Sequence, residues 1–467
     1  MATEAMSAGV FERVFRLQGR GTDVRTEVVA GLTTFMTMAY ILFVNPAILS
    51  LGGAGLPFSQ VLTVTALVAG VMTIAMGLVA NYPFAIASGL GLNAVVAFQL
   101  VGGQGLTFPE AMGVVVTEGI LITILVITGL RQAILDAIPV ELKKAIAGGI
   151  GLFIALIGFA NSGLVVRGPE GGPLLARADV GSARIAIFVV GLLFTAVLVA
   201  HRTKGALLLG IAGTTVLAIV VNSGAGGGLY DTPSTALIPT RVFAAPDFTL
   251  LGDFSFGYVA KLGVIAGALA VFTLMLADFF DTMGTAIALA NEGGFLDAQG
   301  RLPGMNRVLL VDSVAAAVGG AASASSATTY IESASGIAEG GRTGLASVVT
   351  GLLFLAALFV SPLAAVIPPE ATAPALILVG FLMMSVIREM PWDDYAVAIP
   401  AFLTVVVMPF TYSITDGIGW GFVSYTAIML LTGRIRETRP MMVLSSVLFA
   451  LYFAAGPLGR LLSGPTP

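Results

Sequence analysis

Gly319-Gly320-Ala321-Ala322-Ser323-Ala324-Ser325-Ser326-Ala327-Thr328-Thr329-Tyr330 leads into Ile331-Glu332-Ser333, and this stretch decides how the whole chain is read. So dense a run of Ser, Thr and Gly makes a poor membrane helix, because the hydroxyls compete for backbone hydrogen bonds and glycine gives up conformational freedom. It reads as an extended strand followed by a short helix that begins at Glu332. The first half holds a segment of the same make-up, Phe84-Ala85-Ile86-Ala87-Ser88-Gly89-Leu90-Gly91-Leu92-Asn93, after Tyr82-Pro83. Interrupted segments at corresponding places in two halves of a membrane chain point to a transporter's binding site. The plainer alternative is that small residues allow close helix packing.

Outward from these segments the chain is apolar: of 467 residues 57% are hydrophobic and 10% charged, with a mean hydropathy of +0.99. A soluble chain carries roughly 25% charged residues, so a soluble enzyme of this size is excluded. Fourteen spanning helices of about 20 apolar residues use roughly 280 residues, which leaves no room for a second, soluble domain. The 58 glycines suit close packing and broken helices. A net charge of −4 without a long basic cluster gives no nucleic-acid surface, and the absence of cysteine excludes disulfides and thiolate metal sites.

Apolar runs fall near 27–49, 61–80, 84–100, 111–130, 142–163, 184–200 and 205–222, and again near 258–290, 305–322, 326–340, 344–361, 373–387, 395–411, 416–432 and 441–458. Pro400, Pro409 and Gly417 interrupt the late runs, so two of them are read as pieces of one element. The expected fold is an all-α polytopic membrane protein of fourteen elements, with the third and tenth part strand, part short helix. The first run is too long for a signal-peptide core and is read as a retained span. Phe11 to Arg25 reads equally as an amphipathic surface helix or a solvated basic lead. Arg13 to Arg25, Arg131 with Lys143 and Lys144, His201 to Lys204, Arg301 with Arg307, Arg388, and Arg434, Arg436 and Arg439 fall on one side, with Arg167, Arg177 and Arg241 opposite. The richer side is expected to be the cytoplasm, with the N-terminus in it. The second half is then inverted relative to the first.

A charge near mid-bilayer costs on the order of 2.5–3.5 kcal/mol and persists mainly when paired, hydrated or used. Asp278 and Asp281, within Leu274-Met275-Leu276-Ala277-Asp278-Phe279-Phe280-Asp281-Thr282-Met283-Gly284-Thr285, share a helical face, and Glu332 begins the second short helix. Asp281 reads equally as a cap of a broken helix. Asp312 and Glu118 also lie in apolar runs as partners within the bundle, Lys261 is expected to snorkel to the interface, and His201 is a loop residue and no metal ligand. Three carboxyl groups in one low-dielectric cavity cannot all ionise at neutral pH, so at least one holds a proton, as a proton-coupled carrier requires. They repel anions and accept hydrogen bonds in pairs, as from N1–H and the 2-amino group of guanine, with Phe35 or Tyr330 available for stacking. From the residues alone the reading ends at a carrier of small polar solutes.

Four stretches carry a resemblance: Gly31-Leu32-Thr33-Thr34-Phe35-Met36-Thr37-Met38-Ala39-Tyr40-Ile41-Leu42-Phe43-Val44-Asn45-Pro46, Gly89 to Ala94, Asp278 to Thr285, and Thr328 to Gly344. With Gly149 to Gly158 they resemble the AzgA-like purine permeases, a branch of the nucleobase cation symporter superfamily that also holds uracil and xanthine permeases. The resemblance implies a seven-plus-seven inverted repeat and a homodimer working as an elevator. It places a cytoplasmic segment at 1–26, a core domain at 27–130 and 254–361, and a gate domain at 131–253 and 362–467. It implies a proton symporter for hypoxanthine, guanine and adenine in a bacterial-type inner membrane, with membrane lipid around it and no cofactor. By similarity Asp278 and Glu332 would grip the purine, with Asn93, Gly91, Ile331 and Phe35 around it. Asp278, Asp281 and Glu332 would carry the coupling, and Arg342 would organise the loop after the tenth element. The uracil-permease branch can carry a histidine one turn after its eighth-element carboxylate, whereas here Asp281 and Thr282 stand in that neighbourhood. An anion transporter of the related sulfate or bicarbonate type is the alternative, opposed by the facing carboxylates. A magnesium-dependent prenyltransferase would need a second aspartate-rich motif beside the one Asp-x-x-Asp pair.

Overall fold

Long apolar runs form helices here, and the helices end where the sequence supplies caps. A computed structural model describes residues 9, 11–50, 55–129, 138–169, 173–230, 235–239, 241–297 and 301–463. The first half holds α1 (Val24–Met38), α2 (Ile41–Leu49), α3 (Phe58–Val79), β1 (Ile86–Ser88), α4 (Leu90–Ala94) running on as a π-helix over Val95–Gly103, α5 (Phe108–Thr128), α6 (Val140–Asn161), a hairpin of β2 (Val165–Arg167) and β3 (Leu175–Arg177), α7 (Ala183–Ala200) and α8 (Ala206–Gly224). The second half holds α9 (Val264–Glu292), α10 (Met305–Ala321), β4 (Ala327–Thr329), α11 (Ser333–Ala338), α12 (Gly344–Ala357), α13 (Pro369–Met384), α14 (Tyr395–Thr411), α15 (Ile414–Leu431) and α16 (Pro440–Ser463). Thr107 and Glu110 cap α5 reciprocally, with Pro109 in its first turn. Arg131 lies outside the described residues.

Ten helices among the described residues are long and apolar enough to cross a membrane. Both glycine-rich segments are strand followed by short helix, as expected: β1 leads into α4, and β4 into α11, with Glu332 at its N-cap. The late region departs from the expected count. α14 and α15 are separate helices packed as an antiparallel hairpin, turned at Tyr412, whose φ of 54° is left-handed. Pro400 and Pro409 stay inside α14. Among the described residues the second half shows eight segments, so the count of fourteen is not reproduced there.

Packing is heaviest within two sets. α3 lies on α12, α5 on α10, and α1 on α12; separately, α6 lies on α13 and α14, and α7 on α8 and α13. Glycine permits the closest approach, since a Cβ on Gly31 would stand 2.6 Å from the Ala346 carbonyl oxygen and one on Gly351 would stand 2.6 Å from that of Gly70. α1 also caps α12 across the first set. Buried Glu27 accepts the N–H groups of Arg342 (2.7 Å), Thr343 (3.1 Å) and Ala346 (3.1 Å).

Candidate functional site

β1 and β4 meet as a two-stranded antiparallel ribbon, with Ile86 opposite Thr329, Ala87 opposite Thr328 and Ser88 opposite Ala327, every residue buried. Buried strand edges need partners for their outer backbone groups. Side chains provide them. The Thr73 hydroxyl serves both N–H and C=O of Ile86 at 2.9 Å, Asp312 accepts the Thr329 N–H at 2.8 Å, and the Ser333 hydroxyl accepts the Ala85 N–H at 2.9 Å.

Beside the ribbon lies a cavity of about 90 Å³ lined by Tyr40, Leu90, Gly91, Asp281, Thr285, Thr329, Tyr330, Ile331, Glu332, Val379 and Met383. Two carboxyl groups face it and no lining residue is basic. Tyr40, at the break between α1 and α2, donates its hydroxyl to Glu332 Oε1 at 2.5 Å, and Tyr330 donates to the Ser88 carbonyl at 2.5 Å. Val379 and Met383 come from α13, one turn apart, so the cavity is walled by both packing sets.

Of the residues expected at the site, Glu332, Asp281, Gly91 and Ile331 line this cavity. Asp278 does not. Three residues on a helix stand about 60° apart around its axis, and the packing of β4 and α10 against α9 leaves Asp281 on the cavity side and Asp278 on the packed side, where it is fully buried. There the Thr282 hydroxyl stands 3.5 Å from Asp278 Oδ1, 2.5 Å from Asp312 Oδ2 and 2.9 Å from the Thr328 hydroxyl. Asp312 Oδ1 also accepts the Thr329 hydroxyl at 2.8 Å. The two aspartates thus join α9, α10 and β4 behind the ribbon.

Asn93 and Phe35 also lie off the cavity lining. Asn93 is fully buried in α4 and accepts the Ser88 hydroxyl at 2.6 Å, while its Nδ2 has no hydrogen-bond partner among the described residues. Phe35 packs edge-on against Phe354, with ring centroids 5.0 Å apart, because α1 turns it toward α12. Glu118, Lys261 and Arg342 have partners of their own. Ser326 donates to Glu118 at 3.4 Å, Lys261 pairs with Glu110 at 3.2 Å, and Arg342 donates to the carbonyls of Ile337 and Gly341 in its own loop.

Tyr40, Leu90, Thr285, Thr329, Val379 and Met383 escaped the sequence reading as site residues. Tyr40 stands at a helix break inside a quoted motif, which was a usable signal; two apolar side chains on a distant helix carry none.

Residues 25–420 match the Permease family, Xan_ur_permease. The chain is 40% identical over 449 residues to "Adenine permease AdeP" of Escherichia coli strain K12, covering 96% of this chain and 97% of that one. It is 40% identical over 441 residues to "Guanine/hypoxanthine permease PbuO" of Bacillus subtilis strain 168, covering 93% and 98%. The fold resembles the transmembrane domain of the cyanobacterial bicarbonate transporter BicA, with a TM-score of 0.60 at 14% identity, covering 84% of this chain and 97% of that one.

Proposed function

We infer cargo and driving ion from the premise that the chain belongs to the Permease family and from one geometry, the presence of Glu332 and Asp281 in a single small cavity at the strand crossing. The protein is a multi-pass membrane transporter, and we propose that it imports purine nucleobases together with protons.

The cavity's chemistry supports this reading. Carboxylates accept the ring N–H and amino donors of a flat base and repel anions, which weighs against the anion-transporter alternative. Among the described residues no basic side chain lines the cavity, so Asp281 and Glu332 are the lining groups able to take up the coupled proton. Glu332 and Asp281 grip the base, with Gly91, Tyr330 and Ile331 around it. Asp278, linked through Thr282 to Asp312, supports the coupling from behind, and Asn93 and Phe35 position the walls. Binding a proton with the base removes one negative charge from the site and lowers the cost of carrying it across.

Movement is read as an elevator. Residues 27–130 and 254–361 form the core, 131–253 and 362–467 the gate, and the cavity lies between them. Two inverted repeats are supported by packing: counting seven elements on turns the contact of α3 with α12 into that of α10 with α5. The chain works as a homodimer in the inner membrane with its N-terminus in the cytoplasm.

Uptake of labelled hypoxanthine, guanine, adenine and uracil into proteoliposomes, with and without a proton gradient, tests the reading. Purine uptake abolished by a protonophore is expected; purine uptake indifferent to it sinks the coupling. Sulfate displacing bound purine would favour the anion alternative.

A further inference from the structure

Tyr40 is 1% exposed, and its hydroxyl is bonded to Glu332 Oε1 at 2.5 Å. One turn earlier on the same helix end, the Thr37 hydroxyl has the Thr34 carbonyl of its own helix at 2.8 Å and the Glu332 carbonyl at 3.3 Å. Tyr40 is thus the side chain at the break between α1 and α2 that bonds the Glu332 carboxylate, at one oxygen. A phenol wedged in full burial has two torsions and no room to follow a moving partner. A carboxylate that commits a lone pair of Oε1 to such a donor presents Oε2 as its stronger acceptor.

We propose that Tyr40 is a positioning residue that sets which purine is preferred, by holding Glu332 so that one oxygen rather than both meets the base. This rests on the purine reading above. Hypoxanthine offers N1–H; guanine offers N1–H and an adjacent 2-amino group, a pair of donors that matches both oxygens of a carboxylate. While Oε1 is held by Tyr40, the second donor of guanine gains little, and the two bases are bound alike. Freed of the hydroxyl, Glu332 accepts both donors of guanine but still only one of hypoxanthine. The phenol therefore acts against guanine through the carboxylate it orients.

The test uses full-length protein in lipid nanodiscs, wild type and Tyr40→Phe, which keeps the buried ring. Equilibrium binding of labelled hypoxanthine and guanine is measured on each, together with the infrared carboxylate band of Glu332, assigned by its loss in Glu332→Gln. Tyr40→Phe is expected to strengthen guanine about tenfold, the gain of one donor to a charged group, and to move hypoxanthine by less than about threefold. The Glu332 band moves with or without ligand. Equal changes for both bases overturn the proposal, as does an unmoved band. If wild-type protein binds neither base, the purine reading fails, and the band alone decides whether Tyr40 holds Glu332.

Discussion

Replacing Asp312 with alanine should loosen the strand crossing from behind. The carboxylate is fully buried on α10 and takes three bonds: from the Thr329 N–H and hydroxyl at 2.8 Å each, and from the Thr282 hydroxyl at 2.5 Å. The Thr282 hydroxyl can turn to the Thr328 hydroxyl 2.9 Å away. The Thr329 amide is fixed by β4 and cannot. An orphaned buried donor costs about 1–3 kcal/mol and each lost bond to a charged acceptor about 1.5–3 kcal/mol. Removing a buried charge returns part of this as relieved desolvation. The net loss is on the order of 3 kcal/mol. Asparagine places its amide oxygen where Oδ1 was, keeps both Thr329 bonds, and donates to Thr282, so its loss falls to about 1 kcal/mol. Thermal melting of the purified protein reads the difference: Asp312→Ala should melt on the order of 5 °C below wild type, with Asp312→Asn in between, and hypoxanthine binding should fall in the same order. An alanine variant that melts with wild type, or an asparagine variant as damaged as alanine, refutes the reasoning.

Gly31→Ala should lower the melting temperature, because its methyl would stand 2.6 Å from the Ala346 carbonyl oxygen and 2.7 Å from Val349 Cβ; overpacking of this kind costs about 1–3 kcal/mol. Gly284→Ala, with open space around it on α9, should be neutral or stabilising by up to about 1 kcal/mol, and the two melting curves compared side by side check both. Glu27→Ala leaves the amides of Arg342, Thr343 and Ala346 without their shared acceptor and should cost about 3 kcal/mol, with Glu27→Gln recovering roughly half, again by melting. Outside the spanning segments, hydrogen bonds from Arg434 hold the Asp394 and Glu437 carboxyls below the ordinary carboxylate range. A lowered folded value contributes stability above the unfolded one that is lost as pH falls through the folded value. Acid should therefore loosen this link below about pH 4, and a melting series against pH should show that limb flattened in Arg434→Ala and weakened by salt; an Arg434→Ala series identical to wild type would contradict it.

The strand-and-short-helix segments were legible because Ser, Thr and Gly so concentrated leave few helical options, and β1 and β4 fall where that composition put them. The carboxylates were legible because a charge in an apolar run stands out against its surroundings. Which of Asp278 and Asp281 meets the cavity was not, since a spacing of three leaves both near one face and only the packing of β4 and α10 against α9 divides them. Where Phe35 packs was illegible for the same reason: an aromatic ring in a motif says nothing of the neighbour it meets, here Phe354. The division of the late helices was not legible because prolines suggest breaks, whereas Pro400 and Pro409 sit inside α14 and the turn falls at Tyr412. Val379 and Met383 reach the cavity only through tertiary packing.

That the small cavity at the strand crossing receives the purine can be tested directly, since the chain contains no cysteine of its own. Ile331, which lines the cavity and is 48% exposed, is replaced by cysteine, and its alkylation rate in membranes is followed with and without hypoxanthine. Leu174→Cys on the exposed hairpin, 89% exposed, serves as the reference. The account predicts that hypoxanthine slows labelling at position 331 and leaves position 174 unchanged. Labelling at 331 that proceeds at the same rate under saturating purine, in protein that still takes purine up, would contradict it.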